Sequence, residues 1–136
     1  MYERAFRLSI VTPARVVFDG EATSLSAPGV MGGFQILYSH ASLLSSLEIG
    51  RLKVKDMAGT DAIYASGGGV VEVRNNIVTV LVESAERVEE IDITRAEAAR
   101  DRALKRLRQK DSSIDVERAR LALWRAVNRL RIAGGM

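Results

Sequence analysis

Apolar and polar positions alternate through the first part of the chain and then change period. Phe6, Leu8 and Ile10 are separated by Arg7 and Ser9, the period of two that sends successive side chains to opposite faces of a strand. Thr12-Pro13-Ala14-Arg15 supplies a turn before Val16-Val17-Phe18, and Asp19-Gly20 reads as the next turn. Further strands are predicted over residues 22–27, 34–37, 52–57, 62–65, 70–74 and 77–83, with Asn75-Asn76 as a tight turn between the last two. Many short strands with frequent turns predict a β-sandwich or barrel.

From residue 92 onward the apolar spacing becomes three and four. Thr94-Arg95-Ala96-Glu97 fits a capping box, and Asp92 is an equally good cap two residues earlier. A first helix therefore starts at one of these and runs to about residue 109. Lys110-Asp111-Ser112-Ser113 breaks the pattern, residues 112–115 offer new caps, and a second helix continues to about residue 132 before Gly134-Gly135 ends it. The inner stripes are expected to be Ala96, Ala99, Ala103 and Leu107 against Val116, Ala119, Leu123, Val127 and Leu130. One side is mostly alanine, which allows close approach but buries little apolar area, so this hairpin should be marginally stable and able to leave its seat. The fold class is α+β: an antiparallel β-sandwich over residues 1–86 followed by a two-helix hairpin over residues 87–136.

Composition sharpens the division. Both prolines and nine of the eleven glycines lie in residues 1–69, and residues 70–133 contain neither. A length of 136 residues with no cysteine bounds the molecule to one modest core plus an appended element, held together by packing alone. The charged start Met1-Tyr2-Glu3-Arg4-Ala5-Phe6 and the lack of any apolar run of roughly 18 residues predict an intracellular, soluble chain. Charge is unevenly spread: residues 1–86 carry seven Lys/Arg against nine Asp/Glu, and residues 87–136 carry thirteen against eight. The basic excess lives in the helices.

Three kinds of chemistry find little support. A single histidine, His40, without cysteine or a clustered carboxylate cannot fill an ordinary metal ligand set, so no metal site is expected. The run Gly67-Gly68-Gly69 precedes a strand and lacks the Gly-Lys-Ser/Thr ending of a phosphate loop, so a bulge or strand entry is the better reading. No nucleophile and base pair or paired carboxylate motif marks a small enzyme, and no catalytic residue is assigned. A nucleic-acid adaptor is also disfavoured, because the basic residues of the tail are interleaved with eight acids and no groove-reading motif appears.

The sequence resembles the epsilon subunit of bacterial F-type ATP synthases over essentially its whole length. The resemblance rests on Val11-Thr12-Pro13, on Ala27-Pro28-Gly29, on the run from Gly33-Phe34-Gln35-Ile36-Leu37-Tyr38 through Ser39-His40-Ala41-Ser42-Leu43-Leu44, and on Ser66-Gly67-Gly68-Gly69-Val70-Val71-Glu72-Val73. Two departures stand out. Gln35 and Tyr38-Ser39 replace a glycine and a Pro-Gly pair usual in the family, which leaves the path of that loop open. Val30-Met31 replaces an acidic residue, either as an apolar contact to the membrane rotor ring or as side chains that fold back into the sandwich.

The resemblance implies a central-stalk subunit on the cytoplasmic face of the bacterial membrane, peripheral and without insertion. Its sandwich would bind the gamma subunit and the c-subunit rotor ring. Its hairpin, when extended, would reach the alpha and beta subunits and inhibit ATP hydrolysis. Ile91-Asp92-Ile93-Thr94-Arg95-Ala96 reproduces the I/L-D-x-x-R-A motif of a branch that binds ATP as a regulatory ligand. Residues matching the rest of that branch's site are Glu86, Arg102, Arg125 and Arg129. Arg125 and Arg129 share a helix face and Arg95 and Arg102 nearly do, so a folded hairpin can converge four guanidinium groups on a triphosphate, with Glu86 and Asp92 as carboxylate acceptors. A solvated charged face with local salt bridges is the other reading of the same spacing.

Overall fold

The computed structural model describes residues 4–109 and 111–135. Met1 to Glu3 of the charged start and Lys110 of the break between helices, together with Met136, lie outside the described residues. Contacts divide the chain into two compact units with the boundary between Arg87 and Val88.

The first unit contains seven strands: β1 (Phe6–Val11), β2 (Val16–Ala27), β3 (Phe34–Ile36), β4 (Leu43–Asp56), β5 (Asp61–Arg74), β6 (Ile77–Val82) and β7 (Ala85–Arg87). β1 pairs with both β2 and β6, β6 with β5, β5 with β4, and β4 with β2, so the ladder closes on itself as a flattened barrel. The ladders are antiparallel apart from β1 against β6, which is parallel. Closure removes most free edges, leaving the three-residue strands β3 and β7 outside the circuit. The alternation read from the sequence is the core: Phe6, Leu8, Ile10, Leu25, Ile36, Leu52, Val54, Tyr64, Val71, Val73, Val78 and Val80 are buried.

Four local expectations need correction. Asp19 and Gly20 do not turn the chain; they lie inside β2 opposite Ser9 and Leu8. The ladder to β1 and the Arg7–Asp19 ion pair outweigh the local turn signal. β4 begins at Leu43 rather than near residue 52, and β5 is one strand where the pattern predicts two. β7 is unexpected, since three residues carry no detectable period.

The glycine run sits within β5. Gly68 has φ +87°, and a Cβ on Gly69 would fall 2.0 Å from the carbonyl oxygen of Leu81, so side chains are excluded where β6 passes closest. The pairing passes from Leu47 opposite Gly69 to Ile49 opposite Gly67 with no change of register, so the glycine run is neither a bulge nor a strand entry but part of one continuous strand. At the other end of β5, Asn75 and Asn76 both adopt left-handed φ, 51° and 61°, the geometry of a two-residue hairpin turn with right-handed strand twist.

The second unit holds a short 3₁₀ turn (Val88–Glu90), helix α1 (Ile93–Arg108) and helix α2 (Val116–Ala133). Asp92 is the cap of α1, its carboxylate accepting the Arg95 N–H at 3.0 Å, so Thr94 is inside the helix and the capping-box reading fails. Asp115 caps α2 in the same way through Arg118, at 3.1 Å. The helices pack on each other through Ala96 and Ala103 of α1 and Ala119 and Ala126 of α2, all buried. Val116, expected on the inner stripe, is 49% exposed, and Ala126 takes the central position instead. No helix among the described residues is long and apolar enough to cross a membrane.

Candidate functional site

The residues singled out from sequence fall in both units. Glu86 belongs to the first, half-buried in β7 opposite Ala65. Asp92, Arg95, Arg102, Arg125 and Arg129 belong to the helical unit. Asp92, Arg95, Arg102 and Arg125 are exposed; Arg129 is half-buried and already engaged in a polar or charged interaction.

The positions of the four arginines follow from the buried alanines. Ala96 and Ala103 are seven residues apart, as are Ala119 and Ala126, so an antiparallel pair that sets Ala96 level with Ala126 also sets Ala103 level with Ala119. On that register Arg95 stands level with Val127. At a rise of 1.5 Å per residue it lies about 3 Å along the axis from both Arg125 and Arg129, and Arg102 lies about 7.5 Å from Arg125. The rotational positions agree. Arg95, Arg102 and Arg125 each precede a buried alanine by one residue, about 100° to one side, and Arg129 follows Ala126 by three, about 60° to the same side. A twofold axis normal to the plane of two antiparallel helices exchanges them without moving front to back, so equal offsets share one flank. On that geometry the four arginine positions fall on one flank of the helix pair.

Two further arginines, not picked out from the sequence, share that flank by the same rule: Arg106 follows Ala103 by three and Arg118 precedes Ala119 by one. They line a cleft of about 430 Å³ at the inter-helix turn, with Gln109, Ser113 and Asp115. The signal is present in the spacing, but it becomes readable only with the correct buried stripe. On this flank the two carboxylates, Asp92 and Asp115, are both held as helix caps. At the turn itself Asp111 has its pKa held below the ordinary carboxylate value, first by the Ser113 backbone N–H donating at 2.9 Å and second by the Ser113 hydroxyl.

A second candidate surface lies on the first unit. Val30 is 50% and Met31 99% exposed, so neither folds back into the sandwich. Leu37, Tyr38 and Leu44 are exposed as well. Residues 37–40 form a turn in which the His40 N–H donates to the Leu37 carbonyl at 3.2 Å, with Ser39 at φ +59°. This pattern resembles a type II turn, whose third position favours glycine; an L-residue there costs about 1–2 kcal/mol. Tyr38 and Ser39 thus keep a left-handed bend without glycine.

A strand unit and a helix-pair unit in one chain define an α+β class of two-unit fold. Comparison with known proteins assigns the chain within it. Residues 5–88 match the family model for the ATP synthase delta/epsilon chain beta-sandwich domain, and residues 89–134 match that for its long alpha-helix domain. The ATP synthase epsilon chain of Pelotomaculum thermopropionicum is 49% identical over 110 residues, covering 81% of each chain. That of Nitratidesulfovibrio vulgaris is 48% identical over 107 residues, 79% of each. A chain from the mitochondrial ATP synthase of Euglena gracilis superposes with a TM-score of 0.83 at 18% identity, covering 100% of this chain and 84% of that one, a likeness of fold. The chain belongs to the ATP synthase delta/epsilon family, as a non-catalytic subunit of that enzyme complex.

Proposed function

We propose that the chain is the epsilon subunit of the central stalk in a bacterial F-type, proton-translocating ATP synthase, and that it both couples and regulates. The sandwich binds the gamma subunit and the c-subunit rotor ring at the cytoplasmic face of the membrane, turning with them. The helical hairpin, when it opens and extends toward the alpha and beta subunits, inhibits ATP hydrolysis. ATP binds the closed hairpin and so shifts the population away from the inhibitory form in proportion to its differential affinity.

The observation that carries this reading is the basic flank. Arg95, Arg102, Arg125 and Arg129 come together only while the helices are paired, so a polyanion held by all four stabilises the closed state by linkage. Charge-assisted contacts of about 1.5–3 kcal/mol each allow three or four guanidinium groups to reach the roughly 8 kcal/mol of micromolar binding after ordering costs. Asp92 is the carboxylate of the helical unit assigned to orient the arginines or accept from the adenine amino group.

Trp124, exposed beside Arg125, reports the titration. An ATP-selective, saturable change in its fluorescence that is lost in Arg125→Ala is expected; no response up to millimolar ATP would remove nucleotide from the mechanism. Truncation after Arg87, which keeps β7 paired with β5, should preserve assembly and raise ATP hydrolysis. Unchanged hydrolysis would contradict an inhibitory tail.

A further inference from the structure

The side chain of Asn76 does more than close the β5–β6 turn. Its Oδ1 accepts the Ser39 N–H at 2.7 Å, and its Nδ2 donates to the Ala5 carbonyl at 2.9 Å. Its own carbonyl accepts the Arg7 N–H at 3.2 Å. One residue therefore ties three separate segments: the entry to β1, the turn at residues 37–40 and the β5–β6 hairpin. The segment it holds is the one that needs holding, because Ser39 is a left-handed L-residue that its local sequence does not favour. A second tether reaches the same place, with the Arg4 guanidinium over the Tyr38 ring at 5.4 Å.

We propose that Asn76 is the positioning residue of this loop: it fixes Ser39 in the left-handed state and so sets the direction in which Leu37 and Tyr38 are presented to the rotor ring. The assignment of the loop to the rotor rests on the function proposed above; the clamp itself does not. Strain at a binding loop persists only when the surroundings over-determine it, and here they do so through a side chain more than thirty residues away in sequence. The asparagine is suited to the task twice over, since it tolerates its own positive φ of 61° and offers both an acceptor and a donor.

The test uses the full chain and three variants. Asn76→Gly keeps the turn conformation accessible and removes both side-chain bonds. Ser39→Gly in that background removes the need for the clamp. Asn76→Asp keeps an acceptor for Ser39 while losing the donor to Ala5. Amide exchange of Ser39 is read by NMR, and association by sedimentation with the detergent-solubilised rotor ring of the same organism. Asn76→Gly should speed Ser39 exchange about fivefold to tenfold, as loss of one ordinary hydrogen bond implies, and weaken rotor association. The double variant should recover association without recovering protection, which a merely structural role would not produce. Asn76→Asp should retain Ser39 protection. Unchanged Ser39 exchange in Asn76→Gly would overturn the clamp. Faster exchange with undiminished rotor binding would overturn the positioning role. Wild-type chain that fails to bind the ring would instead remove the rotor assignment, with Ser39 exchange still deciding whether the clamp exists.

Discussion

Replacing Ala126 by leucine should open the helix pair while leaving the sandwich untouched. Ala126 is 1% exposed, and Ala96, Ala103 and Ala119 are buried to within 3%, so the helices approach as closely as methyl groups allow. Four buried methyls contribute about 3 kcal/mol at roughly 0.8 kcal/mol each. An isobutyl group inserted into that seam costs about 1–3 kcal/mol in overpacking, comparable with what the four methyls contribute. Taking about 2 kcal/mol, the ratio of closed to open hairpin falls by a factor of about 30.

Hydrogen exchange of peptides from α1 and α2 measures this directly, with peptides from β4 and β5 as the internal reference. Ala98→Leu is the control, because Ala98 is exposed on α1 and leucine is a good helix former. Protection in the helices should drop for Ala126→Leu and hold for Ala98→Leu. If ATP binds only the closed form, its apparent affinity should fall with the closed fraction, by at most the same factor. Equal protection in the two variants would show that the alanine seam does not govern closure, and the reasoning would fail with it.

The other expected outcomes are simpler. Gly69→Ala should lower the global stability of the sandwich by more than about 1 kcal/mol, because its Cβ would sit 2.0 Å from the Leu81 carbonyl oxygen; a denaturant midpoint equal to wild type would show that β6 yields freely. Asp92→Ala should cost α1 about 1 kcal/mol through loss of the Arg95 cap, and Asp92→Asn, which keeps an acceptor, should recover most of it by thermal melt of the helical circular dichroism. Asp111 titrates lower folded than unfolded, so its contribution is present above the ordinary carboxylate range and is lost as pH falls through the lowered value. Ser113→Pro removes the donating N–H and should raise the Asp111 titration midpoint in a carboxyl NMR titration; an unmoved midpoint would assign the shift elsewhere.

The features legible in the sequence are the local ones. Period-two runs mark β1, β6 and the end of β2 because each buries one face, and the αL preference of asparagine marks the turn at residues 75–76. Long-range pairing leaves no such mark. Asp19-Gly20 carries a turn signature, yet β1 recruits both residues into a ladder. The three glycines look like a break between two strands, yet they are where one strand passes its neighbour too closely for side chains. Asn76 is visible in the sequence as a turn residue and invisible as a clamp, since nothing near it along the chain points to Ser39. The six arginines of the helical flank are all in plain view, and Ala96, Ala103 and Ala119 lie on the expected stripe, but the apolar spacing includes Val116 and omits Ala126, which hides the repeat of seven that places Arg106 and Arg118 beside the other four.

That flank also explains why a marginal hairpin suits a ligand-gated role. Its arginines lie within about three to four turns of one another along the axis, and like charges held near each other favour separation, weakly in water and more strongly as solvent is displaced. The two acids on the same flank, Asp92 and Asp115, offset only part of this, two negative charges against six positive. Packing on the other side of the balance is a seam of alanine methyl groups with Ile132 and half-buried leucines around it. A pair of helices built this way closes with little to spare, and on the proposed reading a triphosphate acts twice: it contributes contacts that exist only in the closed state, and it removes the repulsion that favours opening. Raising salt in the absence of ATP should then mimic the second effect without the first. Hydrogen-exchange protection of α1 and α2 should increase between low and moderate ionic strength; protection that falls as salt rises would mean that net attraction, rather than repulsion, dominates the flank.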